Sequence, residues 1–221
     1  MDVKAFLFGL SAFFTTSLFT ASGDDGYAIY RSNDGASTWV RSDGGRECQV
    51  RTNAFATLGD AVFAGTDSGI LVSEDRGSRW RTSPGLNPRV ISMAAHEKFV
   101  FAGSDGDGLF RSADGGATWE KCAAFLPPKV RCLLSVNERL FAGTDTNGVL
   151  MSLDSGKRWS SLPGLPESAQ VFALTHFNDR LFAGLYTKGL YAWDETLLKW
   201  ERVGTVKPLV LVSTDKSIIA G

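Results

Sequence analysis

Ser112-Ala113-Asp114-Gly115-Gly116-Ala117-Thr118-Trp119 reads Ser-x-Asp-x-Gly-x-x-Trp, a small polar turn closed by a large aromatic residue. The pattern returns as Ser73-Glu74-Asp75-Arg76-Gly77-Ser78-Arg79-Trp80 and as Ser152-Leu153-Asp154-Ser155-Gly156-Lys157-Arg158-Trp159. A fourth copy, Ser32-Asn33-Asp34-Gly35-Ala36-Ser37-Thr38-Trp39, has Ala36 where glycine is expected and Gly35 one place early. Trp39, Trp80, Trp119, Trp159 and Trp200 follow one another at intervals of 41, 39, 40 and 41 residues. In phase with them run Phe63-Ala64-Gly65, Phe101-Ala102-Gly103, Phe141-Ala142-Gly143 and Phe182-Ala183-Gly184, with Ile219-Ala220-Gly221 as a fifth copy. Two phased series with one period make this a repeat protein.

Each unit reads as four strands. In the unit around residues 130 to 164, strands are expected at Val130 to Val136, Arg139 to Thr144, Gly148 to Ser152 and Lys157 to Ser161. Asn137-Glu138 supplies the first turn, and Gly59-Asp60, His96-Glu97-Lys98, Asn178-Asp179 and Asp215-Lys216 supply it elsewhere. Such residues tolerate positive φ or bond their own backbone, and so close hairpins. The first strand alternates a small column (Ala54, Ser92, Cys132, Ala173, Val210) with a larger one (Phe55, Met93, Leu133, Leu174, Leu211), as a strand with two unlike faces requires. A four-stranded unit of this period is a propeller blade. The fold class is therefore all-β, a β-propeller of four-stranded antiparallel blades.

The four turns resemble the Asp-box pattern of the BNR/Asp-box family, which includes bacterial sialidases, sortilin-type receptors and photosystem II assembly-factor-like propellers. The resemblance covers about residues 23 to 221; the fifth unit keeps only Trp193-Asp194-Glu195 before Trp200. Physically the box is local: serine and aspartate side chains bond backbone groups of the turn, glycine permits positive φ, and tryptophan packs between sheets. Identical placement in every unit marks Ser32, Asp34, Trp39, Ser73, Asp75, Gly77, Trp80, Ser112, Asp114, Gly116, Trp119, Ser152, Asp154, Gly156 and Trp159 as structural.

Five blades are expected. Pro208 to Gly221 would supply two inner strands and Tyr27 to Arg41 two outer ones, closing the ring by pairing the termini and removing exposed strand edges. Residues 1–22 then read as a signal peptide: Ala5 to Phe14 has the length of its apolar core and Thr20-Ala21-Ser22-Gly23 suits cleavage, although Asp2 weakens the positive start. Thr15, Thr16 and Ser17 interrupt the run and argue against a stable membrane span. The alternative is a divergent first blade in an incomplete six-unit array or a fragment of a larger propeller.

With 23 basic and 24 acidic residues the net charge of −1 offers no field for nucleic acid. Cys48, Cys122 and Cys132 lack metal spacing; Cys122 and Cys132 are either buried thiols or a cross-strand disulfide. His96 and His176 fall at first-hairpin turns and are expected to face solvent. The Arg-Ile-Pro sequence of sialidases is missing, and Tyr27, Tyr30 and Tyr191 lie beside or within third strands, where packing is their default role. Ser104-Asp105-Gly106-Asp107-Gly108 does not complete a calcium loop. No cofactor, metal or catalytic residue is expected, and the chain reads as a non-catalytic extracytoplasmic binding or interaction module. A sialidase-like glycan hydrolase and an assembly factor for a larger complex are the alternatives.

One column points to a ligand. The residue before each first strand is Arg51, Arg89, Lys129, Gln170 and Lys207. Four cations would ring one mouth of a propeller, with Asp67, Asp105, Asp107 and Asp145 further out on the same face. Like charges at short range repel. The cations are expected to be solvated and to pair with the nearby aspartates; the alternative is that Arg51, Arg89, Lys129 and Lys207 bind an anionic group on a protein or glycan.

Overall fold

A computed structural model of the chain describes residues 18–22, 28–42, 51–122, 127, 129–214 and 216–221. Cys48, Tyr27, Asp215 and most of the expected leader lie outside the described residues. Every element among the described residues is a strand. The first sheet holds β1 (Leu18–Ser22), β2 (Ala28–Ser32) and β3 (Val40–Arg41). The second holds β4 (Thr52–Leu58), β5 (Ala61–Thr66), β6 (Gly69–Ser73) and β7 (Arg81–Thr82). The third holds β8 (Val90–His96), β9 (Phe99–Ser104), β10 (Leu109–Ser112) and β11 (Glu120–Lys121). The fourth holds β12 (Val130–Val136), β13 (Arg139–Thr144), β14 (Val149–Ser152) and β15 (Ser160–Leu162). The fifth holds β16 (Val171–Phe177), β17 (Arg180–Leu185), β18 (Gly189–Asp194) and β19 (Lys199–Gly204), and the sixth β20 (Leu211–Ser213) and β21 (Ile218–Ala220). The sheets are antiparallel meanders in chain order, as blades are.

The expected first two strands of the 130–164 unit match β12 and β13, while the fourth starts later because the turn runs through Trp159. First turns fall where expected, with positive φ at Gly59, Glu97, Asn137, Asn178 and Asp179. The Phe-Ala-Gly strands are buried on both faces, which is why they are apolar throughout rather than alternating. Their glycines have a packing reason. A methyl group at Gly65 would stand 2.5 Å from Val90 Cγ1, and one at Gly143 2.7 Å from Val171 Cγ1. Outer strands β7 and β11 are two residues long, exposed and charged, which blunts a sheet edge.

The chain divides into two compact units, Met1–Ala102 with Arg111–Glu120, and Gly103–Phe110 with Lys121–Gly221. In the first, Ile29, Phe55, Val62 and Ala64 form a core with Phe19, Leu71 and Trp80 against it. In the second, Phe141, Val149, Val171, Leu174, Leu181, Trp193 and Trp200 belong to one larger core.

Two expectations are corrected. The first sheet takes its third strand from β1, not from the C-terminal segment, and β20 and β21 form a two-stranded sheet of their own. The cause is Phe19, whose ring lies 5.9 Å from Phe55 and 6.3 Å from Trp80 and fills the apolar seam of its unit. His96 does not face solvent: it is 2% exposed, packed toward Phe101 with ring centroids 6.5 Å apart. Burial lowers its pKa. Cys122 and Cys132 are thiols, and burial pushes Cys132 up to about 12.

Candidate functional site

The Ser-x-Asp turns are spent on their own backbone. Ser73 and Ser112 each donate to the following aspartate at 2.8 Å, and accept from Gly77 N at 2.7 Å and Gly116 N at 2.8 Å. Ser32 and Ser152 repeat this with Asp34 and Asp154 at 2.8 and 3.0 Å. Hydrogen bonds from the Thr38 side chain and backbone hold the Asp34 carboxyl at about 2, and Thr118 does the same for Asp114. At Asp75 and Asp154 an arginine replaces the threonine, so the backbone N–H of Arg79 and of Arg158 is the leading cause of a lowered pKa.

The strand-start column behaves differently. In the first unit Arg89 Nε meets Asp67 Oδ1 at 2.9 Å, and Asn53 donates to the same oxygen at 2.9 Å. The Asn53 bond leads in lowering Asp67, with Arg89 and Arg51 adding their charge. In the second unit Lys129 pairs with Asp105, and Arg131 pairs with Asp145. The cations at 89 and 129 are therefore neutralised by turn carboxylates rather than standing bare. Arg51 and Lys207 take part in no ion pair among the described residues.

A backbone bond fixes this end of the second, fourth and fifth sheets. The N–H groups of Asp67, Asp145 and Tyr186 donate to the carbonyls of Arg51, Lys129 and Gln170 at 3.0, 3.4 and 3.2 Å. Tyr186 thus occupies the place of the aspartates. Two residues past the strand starts of these three sheets, at a shift of register, stand Asn53, Arg131 and Phe172. Asn53 and Arg131 bond their own blade's aspartate; Phe172 instead stacks on Tyr186, centroids 4.9 Å apart at 24°. The Arg131 guanidinium lies 3.9 Å from the Phe172 centroid. Tyr186 remains 48% exposed. Sequence reasoning overlooked Arg131, Phe172 and Tyr186. The signal was available at Tyr186, where the column Asp67, Asp105, Asp145 turns aromatic.

A cleft of about 970 Å³ opens elsewhere in the second unit. Phe141, Met151, Leu181 and Trp193 give it apolar walls, and His176, Glu138, Asp179, Glu195 and Glu201 line it with polar groups. Arg139 pairs with Glu195 at 2.6 Å and Arg180 with Glu201 at 3.6 Å, whereas Glu138 and Asp179 take part in no ion pair among the described residues.

No family model and no curated protein sequence matches the chain. Solved structures do. The GH74 xyloglucanase from Xanthomonas campestris aligns with a TM-score of 0.69 at 18% identity, over 87% of this chain and 36% of that one. The YCF48 protein bound to D1 peptide aligns with a TM-score of 0.69 at 14% identity, over 93% of this chain and 69% of that one. The extracellular domain of BT4673 from B. thetaiotaomicron aligns with a TM-score of 0.70 at 16% identity, over 100% of this chain and 32% of that one. The chain thus spans about a third of the length of the xyloglucanase. The expectation that the chain is not an enzyme is overturned here, because the fold is shared with three GH74 proteins as well as with a peptide-bound one. Fold alone does not decide function. What the likeness establishes is the architecture: the chain is a β-propeller.

Proposed function

We propose that the chain is an extracytoplasmic binding propeller of the Asp-box kind, holding a protein or glycan on the strand-start end of its second unit. The observation that carries this is the change of chemistry in the fifth sheet. Where the other blades close Asp67, Asp105 and Asp145 with cations, this one presents a tyrosine backed by Phe172 and Arg131. An exposed ring fixed from behind offers contact area at little entropic cost, as anchors of binding sites do. YCF48 with its peptide and the GH74 enzymes support a protein or glycan as the class of partner. Lys207, which takes part in no ion pair among the described residues, supports an anionic one. The extracellular domain of BT4673 supports export. The test is an array of glycans and secreted proteins probed with the purified chain and with Tyr186→Ala. Ligands retained by the wild type and lost by the variant are expected; binding indifferent to residue 186 overturns the assignment.

A second reading, glycan hydrolysis, is favoured by the cleft. Glycoside hydrolysis in most families needs two carboxyl groups flanking the bond. The cleft carries Glu138 and Asp179 outside ion pairs and Glu195 and Glu201 within them. Release of reducing sugar from a polysaccharide panel, abolished in Glu138→Gln or Asp179→Asn, would establish it. No release from any polysaccharide would remove it.

A further inference from the structure

We infer that the second unit holds a site for a carboxylated sugar, a uronate residue of an acidic glycan, between the outward face of Tyr186 and the ammonium of Lys207. This rests on the strand-start reading above and narrows its ligand class.

The repeat places the two residues together. At 89 and 129 the strand-start cation closes on the turn residue of the preceding blade, Arg89 on Asp67 at 2.9 Å and Lys129 on Asp105. The residue after the strand start lies over the Phe-Ala-Gly glycine of that same preceding blade. An added methyl would be 2.5 Å from Val90 Cγ1 at Gly65, 2.7 Å from Val171 Cγ1 at Gly143, and 2.6 Å from Pro208 Cγ at Gly184. Lys207 precedes Pro208 as Arg89 precedes Val90, so it stands toward Tyr186 as Arg89 stands toward Asp67. Here the counter-charge is gone. Lys207 is exposed and takes part in no ion pair among the described residues.

The ring beside it is held rigidly and open on one side. Phe172 has Arg131 at 3.9 Å and Tyr186 at 4.9 Å from its centroid, and two groups that close cannot share one face of a ring. Phe172 is therefore sandwiched, Tyr186 is braced from behind, and its outer face meets solvent at 48% exposure. Gln170, whose carbonyl accepts from Tyr186 N at 3.2 Å, takes the strand-start place where Arg89 and Lys129 stand elsewhere, and offers an uncharged amide that both donates and accepts.

A flat ring, one point cation and a neutral amide match a pyranuronate. Its C–H face lies on the tyrosine, its carboxylate meets the lysine, and its hydroxyls meet the amide. An acidic peptide would satisfy Lys207 but carries no flat apolar face at a fixed distance from its carboxylate.

The probe is a short oligogalacturonide, with the corresponding neutral galacto-oligosaccharide as control, titrated calorimetrically into the full chain. Binding of the uronate is expected, with no measurable binding of the neutral oligomer. Tyr186→Ala and Lys207→Gln should each weaken it about tenfold or more, while the exposed Lys216→Gln leaves it unchanged. Thermal melts confirm that the variants fold. Equal binding of both oligomers, or uronate binding insensitive to residue 186 or 207, overturns the inference. Protein ligands lost in Tyr186→Ala, with no uronate bound by the wild type, overturn it too, yet leave the strand-start face standing as the binding surface.

Discussion

The indole Nε1 of Trp119 donates to Ser83 Oγ at 2.8 Å, across two successive sheets of the first unit. Ser83 passes the chain on, donating to the carbonyl of Gly116 in the same turn that carries Trp119. Trp80 reaches back likewise to Ser42 O at 2.7 Å, and Ser42 donates to Gly77 O. The Ser-x-Asp turn is thus a clasp between blades as well as a local knot. In the second unit Trp200 Nε1 meets Leu162 O at 3.3 Å, so the indole keeps its partner even where serine is replaced.

Ser83→Ala removes a side chain that is 1% exposed and strands both a buried carbonyl and an indole N–H. The expected cost is about 1–3 kcal/mol. Urea denaturation checks it: the midpoint should fall with the slope unchanged. A neutral result would mean that the clasp contributes only packing.

Ala36 has φ of +72° where the other turns have Gly77, Gly116 and Gly156. The position before it is left-handed too, at Gly35, Arg76, Gly115 and Ser155, so the turn needs two such residues in succession. A left-handed alanine costs roughly 1–2 kcal/mol, partly offset by the greater unfolded entropy of glycine. Ala36→Gly should therefore stabilise the chain by about 0.5–1 kcal/mol, read as a raised melting temperature.

Gly143→Ala tests why Phe-Ala-Gly recurs. The new methyl would stand 2.7 Å from Val171 Cγ1 and closer still to Cys132 Sγ. Overpacking should cost about 1–3 kcal/mol. Gly143→Ala combined with Val171→Ala should recover part of it in the same denaturation assay, because the second change clears one of the two clashes.

Asp34 and Asp114 sit at about 2 in the folded chain against an ordinary 3.8. A folded pKa below the unfolded one contributes stability that is complete above the unfolded value and lost as pH falls through the folded one. Melting temperature should thus decline between about pH 4 and pH 2. Thr118→Val removes the leading cause at Asp114, and carboxyl titration by NMR should show that group moving up.

The repeat and the strand boundaries of the central units were legible because each is local and recurs. β1 was not, since Phe19-Thr20-Ala21 stands where other units have Phe-Ala-Gly, and Phe19 is recognised only through its contacts. The depth of His96 was likewise hidden: a turn position sets the backbone, while Phe101 on the paired strand sets the burial. The strand-start cations were found by column, but their neutralisation depends on side chains from neighbouring turns. The aromatic exception at Phe172 and Tyr186 lay in two columns that gain meaning only when the hairpin brings them together.

The most direct test of the binding account is an amide NMR titration with whichever array ligand binds. Perturbations concentrated at Lys129, Arg131, Gln170 and Tyr186 are the expected result. Perturbations concentrated at His176, Arg180, Trp193 and Glu195 instead would contradict it and move the site to the cleft.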